Sequence, residues 1–175
     1  MFDPEKHHRR SIRLKGYDYA QAGAYFVTIV AQGRQSFFGK ITGAEMFPHD
    51  AGRMIITVWV SLPERFINIE LGAFIVMPNH FHAILYIVGT GFIPALHGRD
   101  SSMADVADAT GATLVVAPTV GQIIGAFKSI TTHEYIKGVD GLGWPRFDKR
   151  LWQRNYYEHI IRSAKGGVHP HPAWS

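Results

Sequence analysis

Hydrophobic and polar positions divide the chain into a few clear elements. Ala24 to Ala31, AYFVTIVA, is a β-branched and aromatic run with no breaker, bounded by Gly23 and Gly33, and predicts a strand in the middle of a sheet. From Asp50, the stretch AGRMIITVWVSLPERF sets Met54, Ile55, Val58 and Leu62 at helical spacing, so a crossover helix is expected, ended by Pro63. Ile67 to Met77 and Phe81 to Val88 are apolar runs separated by Pro78 and Asn79, the pattern of a hairpin of two further strands. Gly89 to Pro118 mixes Gly, Ser, Asp and Ala around Leu114, Val115 and Val116 without a sustained period, and predicts a long, partly mobile loop. Beyond it Val120, Ile123, Ile124, Phe127 and Ile130 share one helical face with Thr119 placed as N-cap, a second amphipathic helix. A Gly-rich turn over Gly138 to Gly143 then leads to WPRFDKRLWQRNYYEHIIR, read as a short strand at Leu151 and a helix start near Asn155. In the last residues, AKGGVHPHPAWS, Gly and Pro interrupt every register, which excludes a helix or an internal strand. Strand, helix, strand, strand, helix and a last strand predict an α+β ferredoxin-like sandwich, a mainly antiparallel sheet with helices on one face.

Composition narrows the chemistry. At 175 residues and 46% hydrophobic content the chain has the size of one domain able to bury its own core. It has no cysteine, which excludes disulfides, thiolate zinc sites and a cysteine nucleophile, and leaves His, carboxylate or amide groups as metal ligands. Met1 to Lys15 is charged where a signal peptide would be apolar, and no run approaches the roughly 18 apolar residues of a membrane span. A cytoplasmic protein with no membrane partner is expected. The net charge is +4, with basic residues gathered in His7, His8, Arg9, Arg10, Arg13, Lys15 and again in Arg146, Lys149, Arg150, Arg154. Such clusters suit a phosphate backbone, and equally an ordinary solvated face.

Of ten histidines, His80 and His82 alone lie inside MPNHFHAIL. Residues two apart on a strand share a face, so both imidazoles would face one site while Phe81 enters the core. Two neutral ring nitrogens at that spacing can hold a divalent ion, with further positions open to phosphate oxygens and water. The same pattern also fits a histidine pair that binds no metal.

MPNHFHAIL followed by GAFKSITTHEYI and LWQRNYYEHIIR, and preceded by YDYAQAGAYFVTIVAQGR and VWVSLPERF, resembles the REP-associated tyrosine transposases of the HUH single-strand DNA endonuclease superfamily, over about residues 10 to 163. The resemblance implies a ferredoxin-like nuclease domain in which His80 and His82 bind Mg²⁺ or Mn²⁺ and a tyrosine hydroxyl attacks a DNA phosphate, leaving a covalent phosphotyrosine that permits rejoining. It further implies recognition of single-stranded or hairpin DNA through Arg9, Arg10, Arg13, Lys128, Arg150 and Arg154. Lys128 also reads as an ordinary solvated lysine. Residues 1–163 would form this HUH domain, with a basic N-terminal arm and the mobile loop at about 89–118, and 164–175 an irregular tail.

The family places its nucleophile in a later helix with a Tyr-Ile-x-x-Asn-Pro type motif, and after Ile161-Arg162-Ser163 no such motif follows here. Tyr156 and Tyr157 are then the nearest candidates for the nucleophile, with Tyr135 behind them. His169 and His171 repeat the HxH spacing in the tail, where Pro170 and flexible surroundings argue against a ligand pair. Without a helix to cover it, an apolar part of the sheet would favour self-association, so a homodimer is among the expectations. Three readings remain at this level: an active tyrosine transposase, a catalytically inactive DNA-binding remnant, and an unrelated His-metal hydrolase of small molecules.

Overall fold

The computed structural model describes residues 20–88, 106–107, 113–114 and 118–161. Its elements run β1 (Gly23–Val30), a 3-10 turn (Gln32–Arg34), β2 (Gly39–Thr42), β3 (Glu45–Pro48), α1 (Asp50–Arg65), β4 (Ile69–Met77), β5 (His80–Ile87), β6 (Val106–Ala107), β7 (Thr113–Leu114), α2 (Val120–Leu142) and β8 (Tyr157–Ile161). The main sheet has the order β4-β5-β1-β8 with every neighbour antiparallel. Helices α1 and α2 pack against this sheet, completing the α+β ferredoxin-like fold expected from the sequence.

Strict alternation in the two central strands defines the faces. Tyr25, Val27 and Ile29 of β1 and Phe81, Ala83, Leu85 and Ile87 of β5 are buried on the helix side, and the residues between them turn the other way because the pleat has a period of two. Phe81 is wholly buried, with its ring 4.9 Å from Trp59 of α1 and 5.3 Å from Phe127 of α2. Burial of each such ring stabilises the fold by roughly 1.5–3 kcal/mol. The three rings therefore fasten both helices to the strand that carries the histidines.

Local capping follows the chemistry of the side chains. Thr119 accepts from the Gln122 amide at 3.2 Å, and Gln122 Oε1 accepts from the Thr119 amide at 2.8 Å, a reciprocal arrangement that satisfies two of the donors every helix start leaves open. At the far end of α2, Gly143 takes φ +69° and its amide donates to Gly138 O, a left-handed stop that glycine enters without a Cβ penalty.

Four sequence expectations are corrected. Pro63 lies inside α1, which continues to Arg65, because a proline so near a helix end removes one hydrogen bond and only one further turn is at stake. Gly138 to Gly143 is not a turn but the last turn of α2 and its cap. Leu151 does not begin a strand: only an isolated bridge joins Trp152 to Ala31. Instead of a helix from Asn155, Tyr157–Ile161 forms the edge strand β8, paired to β1 from Thr28 to Ala24. The β2–β3 hairpin, which the sequence reading does not contain, closes through Gly43 and Ala44 at φ +59° and +68°, the left-handed pair of a type I′ turn. Most of the expected mobile loop at 89–118, the arm with Arg9, Arg10 and Arg13, and the tail with His169 and His171 lie outside the described residues.

Candidate active site

The open face of the sheet carries the candidate chemistry. His80 and His82 are both half-buried there, on either side of the wholly buried Phe81, as strand geometry requires. Their rings meet edge to face, with centroids 4.6 Å apart and an interplanar angle of 82°. His82 also stacks on Phe26 of β1 at 5.4 Å. Burial lowers the pKa of His80, and the neighbouring His82 lowers it further; burial lowers that of His82 as well. Both shifts favour the neutral imidazole over the charged one.

Each ring has a fixed neighbour at Nδ1. Thr28 Oγ1 lies 2.8 Å from Nδ1 of His82, directly across the β1–β5 ladder. Asn79 Oδ1 lies 2.7 Å from Nδ1 of His80. The Asn79 side chain is itself held by its amide nitrogen, which donates to Arg34 O at 3.1 Å. Sequence reading singles out neither partner: Asn79 reads as a turn residue and Thr28 as one more strand residue. The available signal is a hydroxyl in an otherwise apolar strand, at the parity opposite to Tyr25, Val27 and Ile29.

Register separates the two tyrosine candidates. Tyr157 pairs with Thr28, which pairs with His82, which pairs with Ile75, so these four residues form one cross-strand row on the open face. Tyr157 is 57% exposed, and two strand spacings put its Cα about 10 Å from that of His82. Tyr156 has the opposite parity and packs against the core, with Lys128 Nζ 5.6 Å from its ring centroid. Tyr135 is buried in α2 among Phe37, Trp144 and Phe147 and donates to Pro145 O at 2.9 Å. Burial raises its pKa to about 12, far from what a nucleophile at neutral pH requires.

Among the proposed DNA contacts, Arg150 and Arg154 are exposed on the segment that leads into β8, as are Arg146 and Lys149. Lys128 is placed differently. Its ammonium donates to the carbonyls of Gln153, Arg154 and Asn155 at 2.9, 3.4 and 3.1 Å. Burial lowers its pKa to about 8, while the carbonyls favour the charged form. Among the described residues no group of three or more His, Cys, Asp or Glu converges on one point. No helix among the described residues is long and apolar enough to cross a membrane.

A Haemophilus influenzae protein, described as uncharacterized, is 34% identical over 162 residues, covering 91% of this chain and 82% of that protein. The chain belongs to that protein's family. No family model matches it. A solved REP-associated tyrosine transposase bound to a REP hairpin overlaps 87% of this chain and 64% of its own, at 16% identity and a TM-score of 0.43. This chain thus spans less than two thirds of that transposase. A Deinococcus radiodurans protein assigned provisionally as a transposase overlaps 86% of this chain and 85% of its own, at 13% identity and a TM-score of 0.48. Both similarities are too low to bear on function.

Proposed function

We propose that this family member is a transposase-like protein that binds single-stranded or hairpin DNA and cuts and rejoins it by metal-dependent tyrosine transesterification. The observation that carries the reading is the juxtaposed His80–His82 pair on a central strand, in one row with the exposed Tyr157. It is supported by the sequence resemblance over the strand, both helices and the YY segment.

The donor set fits a divalent ion such as Mg²⁺ or Mn²⁺: two imidazoles with ring centroids 4.6 Å apart, half-buried on the open face, with both Nδ1 atoms already occupied by neighbours. When bound, such an ion supplies Lewis-acid polarisation of a phosphate. His80 and His82 would hold it, and Phe81, locked between Trp59 and Phe127, would keep the pair rigid. The Tyr157 oxygen would attack phosphorus as its proton passes to water, and the bond to the 3′ oxygen of the upstream strand would break, leaving a 5′ phosphotyrosine and a free 3′ hydroxyl. Reversal of the same step would rejoin a strand without ATP. Arg150 and Arg154, with Arg9, Arg10 and Arg13 of the N-terminal arm, would supply the salt-sensitive grip on the phosphate backbone.

The test is incubation of purified protein with labelled hairpin-ended single-stranded DNA and Mn²⁺ or Mg²⁺, read by denaturing gel and by mass spectrometry of the protein. An adduct at Tyr157, absent from Tyr157→Phe and from the His80→Ala/His82→Ala double variant, is expected. Salt-sensitive binding without nick or adduct would leave a DNA-binding remnant without catalysis, and absence of any DNA affinity would end the reading altogether.

A further inference from the structure

The geometry around the histidine pair assigns a role to two residues outside it: we propose that Asn79 and Thr28 are positioning residues that hold His80 and His82 in the Nδ1–H tautomer and so reserve both Nε2 lone pairs for a ligand. The inference deepens the metal-site reading above and rests on it for its purpose and for the direction of the Thr28–His82 hydrogen bond, whereas the His80 tautomer follows from the geometry alone.

Arg34 is where the assignment begins. A backbone carbonyl only accepts, so the Asn79 atom 3.1 Å from Arg34 O is the amide nitrogen, and the orientation of the Asn79 side chain follows without ambiguity. Its other end, Oδ1, therefore faces Nδ1 of His80 at 2.7 Å. A carboxamide oxygen cannot donate, so the hydrogen of that bond belongs to His80 Nδ1. In a neutral imidazole with hydrogen on Nδ1, Nε2 carries the lone pair. Arg34 itself stands at φ +57°, following Gly33 at φ +63°, a left-handed turn that costs a non-glycine residue roughly 1–2 kcal/mol and that brings this carbonyl to Asn79. The main chain of the same turn is tied to the histidine loop by the Ala31 amide, which donates to Asn79 O at 2.9 Å.

Thr28 acts on the second ring. Its hydroxyl lies 2.8 Å from His82 Nδ1, and β1–β5 pairing puts the two residues directly opposite one another. A hydroxyl both donates and accepts. Against a ring whose Nε2 is to bind a cation it serves as acceptor, and its own hydrogen stays available to water or to a bound phosphate. Asn79 thus dictates one tautomer, and Thr28 accommodates the same tautomer in its neighbour. Partners of this kind, which fix the second nitrogen of a ligating histidine, are usually worth 10–100-fold in metal affinity.

The experiment uses the full chain, uniformly ¹⁵N-labelled and metal-free, with long-range ¹H–¹⁵N correlation of the histidine rings well above the imidazole pKa. Wild-type His80 and His82 are expected to show hydrogen on Nδ1 and an unprotonated Nε2. Asn79→Ala should move His80 to the Nε2–H form, Thr28→Val should do so for His82, and Thr28→Ser should restore the wild-type pattern. Amide spectra that match wild type establish that each variant is folded. Mn²⁺ titration of the same samples should show affinity lower by about 10–100-fold in Asn79→Ala and Thr28→Val, and close to wild type in Thr28→Ser. Hydrogen on Nε2 in the wild type, or tautomers unmoved by Asn79→Ala and Thr28→Val, would overturn the assignment. The expected tautomers without Mn²⁺ binding would support it while removing the metal reading.

Discussion

Two glycines of α2 should respond to the same substitution with opposite sign. In a helix interior alanine is favoured over glycine by roughly 0.5–1 kcal/mol, since glycine loses more backbone freedom on folding. At Gly125 an added Cβ meets nothing within 4 Å, so Gly125→Ala should collect that full gain and raise Tm by about 2–4 °C per kcal/mol for a chain of this size. At Gly138 the same methyl would overlap the indole of Trp144. That ring has little freedom to retreat. It packs edge-on against Tyr135 at 5.2 Å, and Tyr135 in turn holds Pro145 O at 2.9 Å. Overpacking of this kind costs about 1–3 kcal/mol, and loosening the Tyr135 hydrogen bond adds roughly 0.5–1.5 kcal/mol. Set against the helix gain, Gly138→Ala should end about 0.5–4 kcal/mol less stable than the parent. Urea denaturation followed by far-ultraviolet circular dichroism gives both values, and tryptophan fluorescence of the native state should shift only in the Gly138 variant. Two parallel increases in stability would mean that Trp144 does not occupy the space over Gly138, and the packing argument would fail.

Acid should weaken the protein through the histidine pair. Because the folded-state pKa values of His80 and His82 lie below the ordinary 6.5, the unfolded chain binds more protons beneath that value; their contribution is complete above pH 6.5 and is lost as pH falls through the folded values. The acid limb of a stability–pH profile should flatten in His80→Asn/His82→Asn, and an unchanged limb would place the acid sensitivity elsewhere. In the β2–β3 turn, Ala44 stands at φ +68°. Ala44→Gly removes a penalty of roughly 1–2 kcal/mol and adds about 0.5–1 kcal/mol of backbone entropy cost, so Tm should rise by a few degrees; a fall in thermal melting would contradict the type I′ geometry.

Legibility in the sequence tracked how local each signal is. The shared face of His80 and His82, the inward Phe81 and the Thr119 cap depend on periodicity or on a cap three residues away, and these could be read directly. The edge strand β8 could not, because Tyr157–Ile161 alternates exposed and half-buried residues only by virtue of lying beside β1, and its composition alone admits a helix. The end of α2 is hidden for a related reason: Gly138 looks like a breaker until Trp144 fills the space that a side chain would occupy. Thr28 and Asn79 carry no site signal of their own in the sequence, since each acquires its partner across a ladder or through a distant turn, at sequence separations of 54 for Thr28–His82 and 45 for Asn79–Arg34.

The choice between two adjacent tyrosines shows what tertiary structure adds. Composition cannot separate Tyr156 from Tyr157, yet a one-residue slip of β8 would exchange them, bringing Tyr156 to the histidine face and burying Tyr157. A five-residue edge strand is short for holding register by its own ladder. The segment before it carries the extra constraint: the Gln153 amide donates to Val30 O at 2.9 Å, the Gln32 amide donates to Leu151 O at 2.8 Å, and Trp152 Nε1 donates to Thr131 of α2 at 2.8 Å. Lys128 of the same helix then gathers the carbonyls of residues 153 to 155, with its ammonium near the Tyr156 ring. Partial burial of that ammonium costs free energy, as its lowered pKa records, and the return is a fixed entry point for β8. Helix α2 therefore sets which tyrosine faces the histidines, and a lysine with the look of a surface cation reaches the site through the register of a strand it does not belong to.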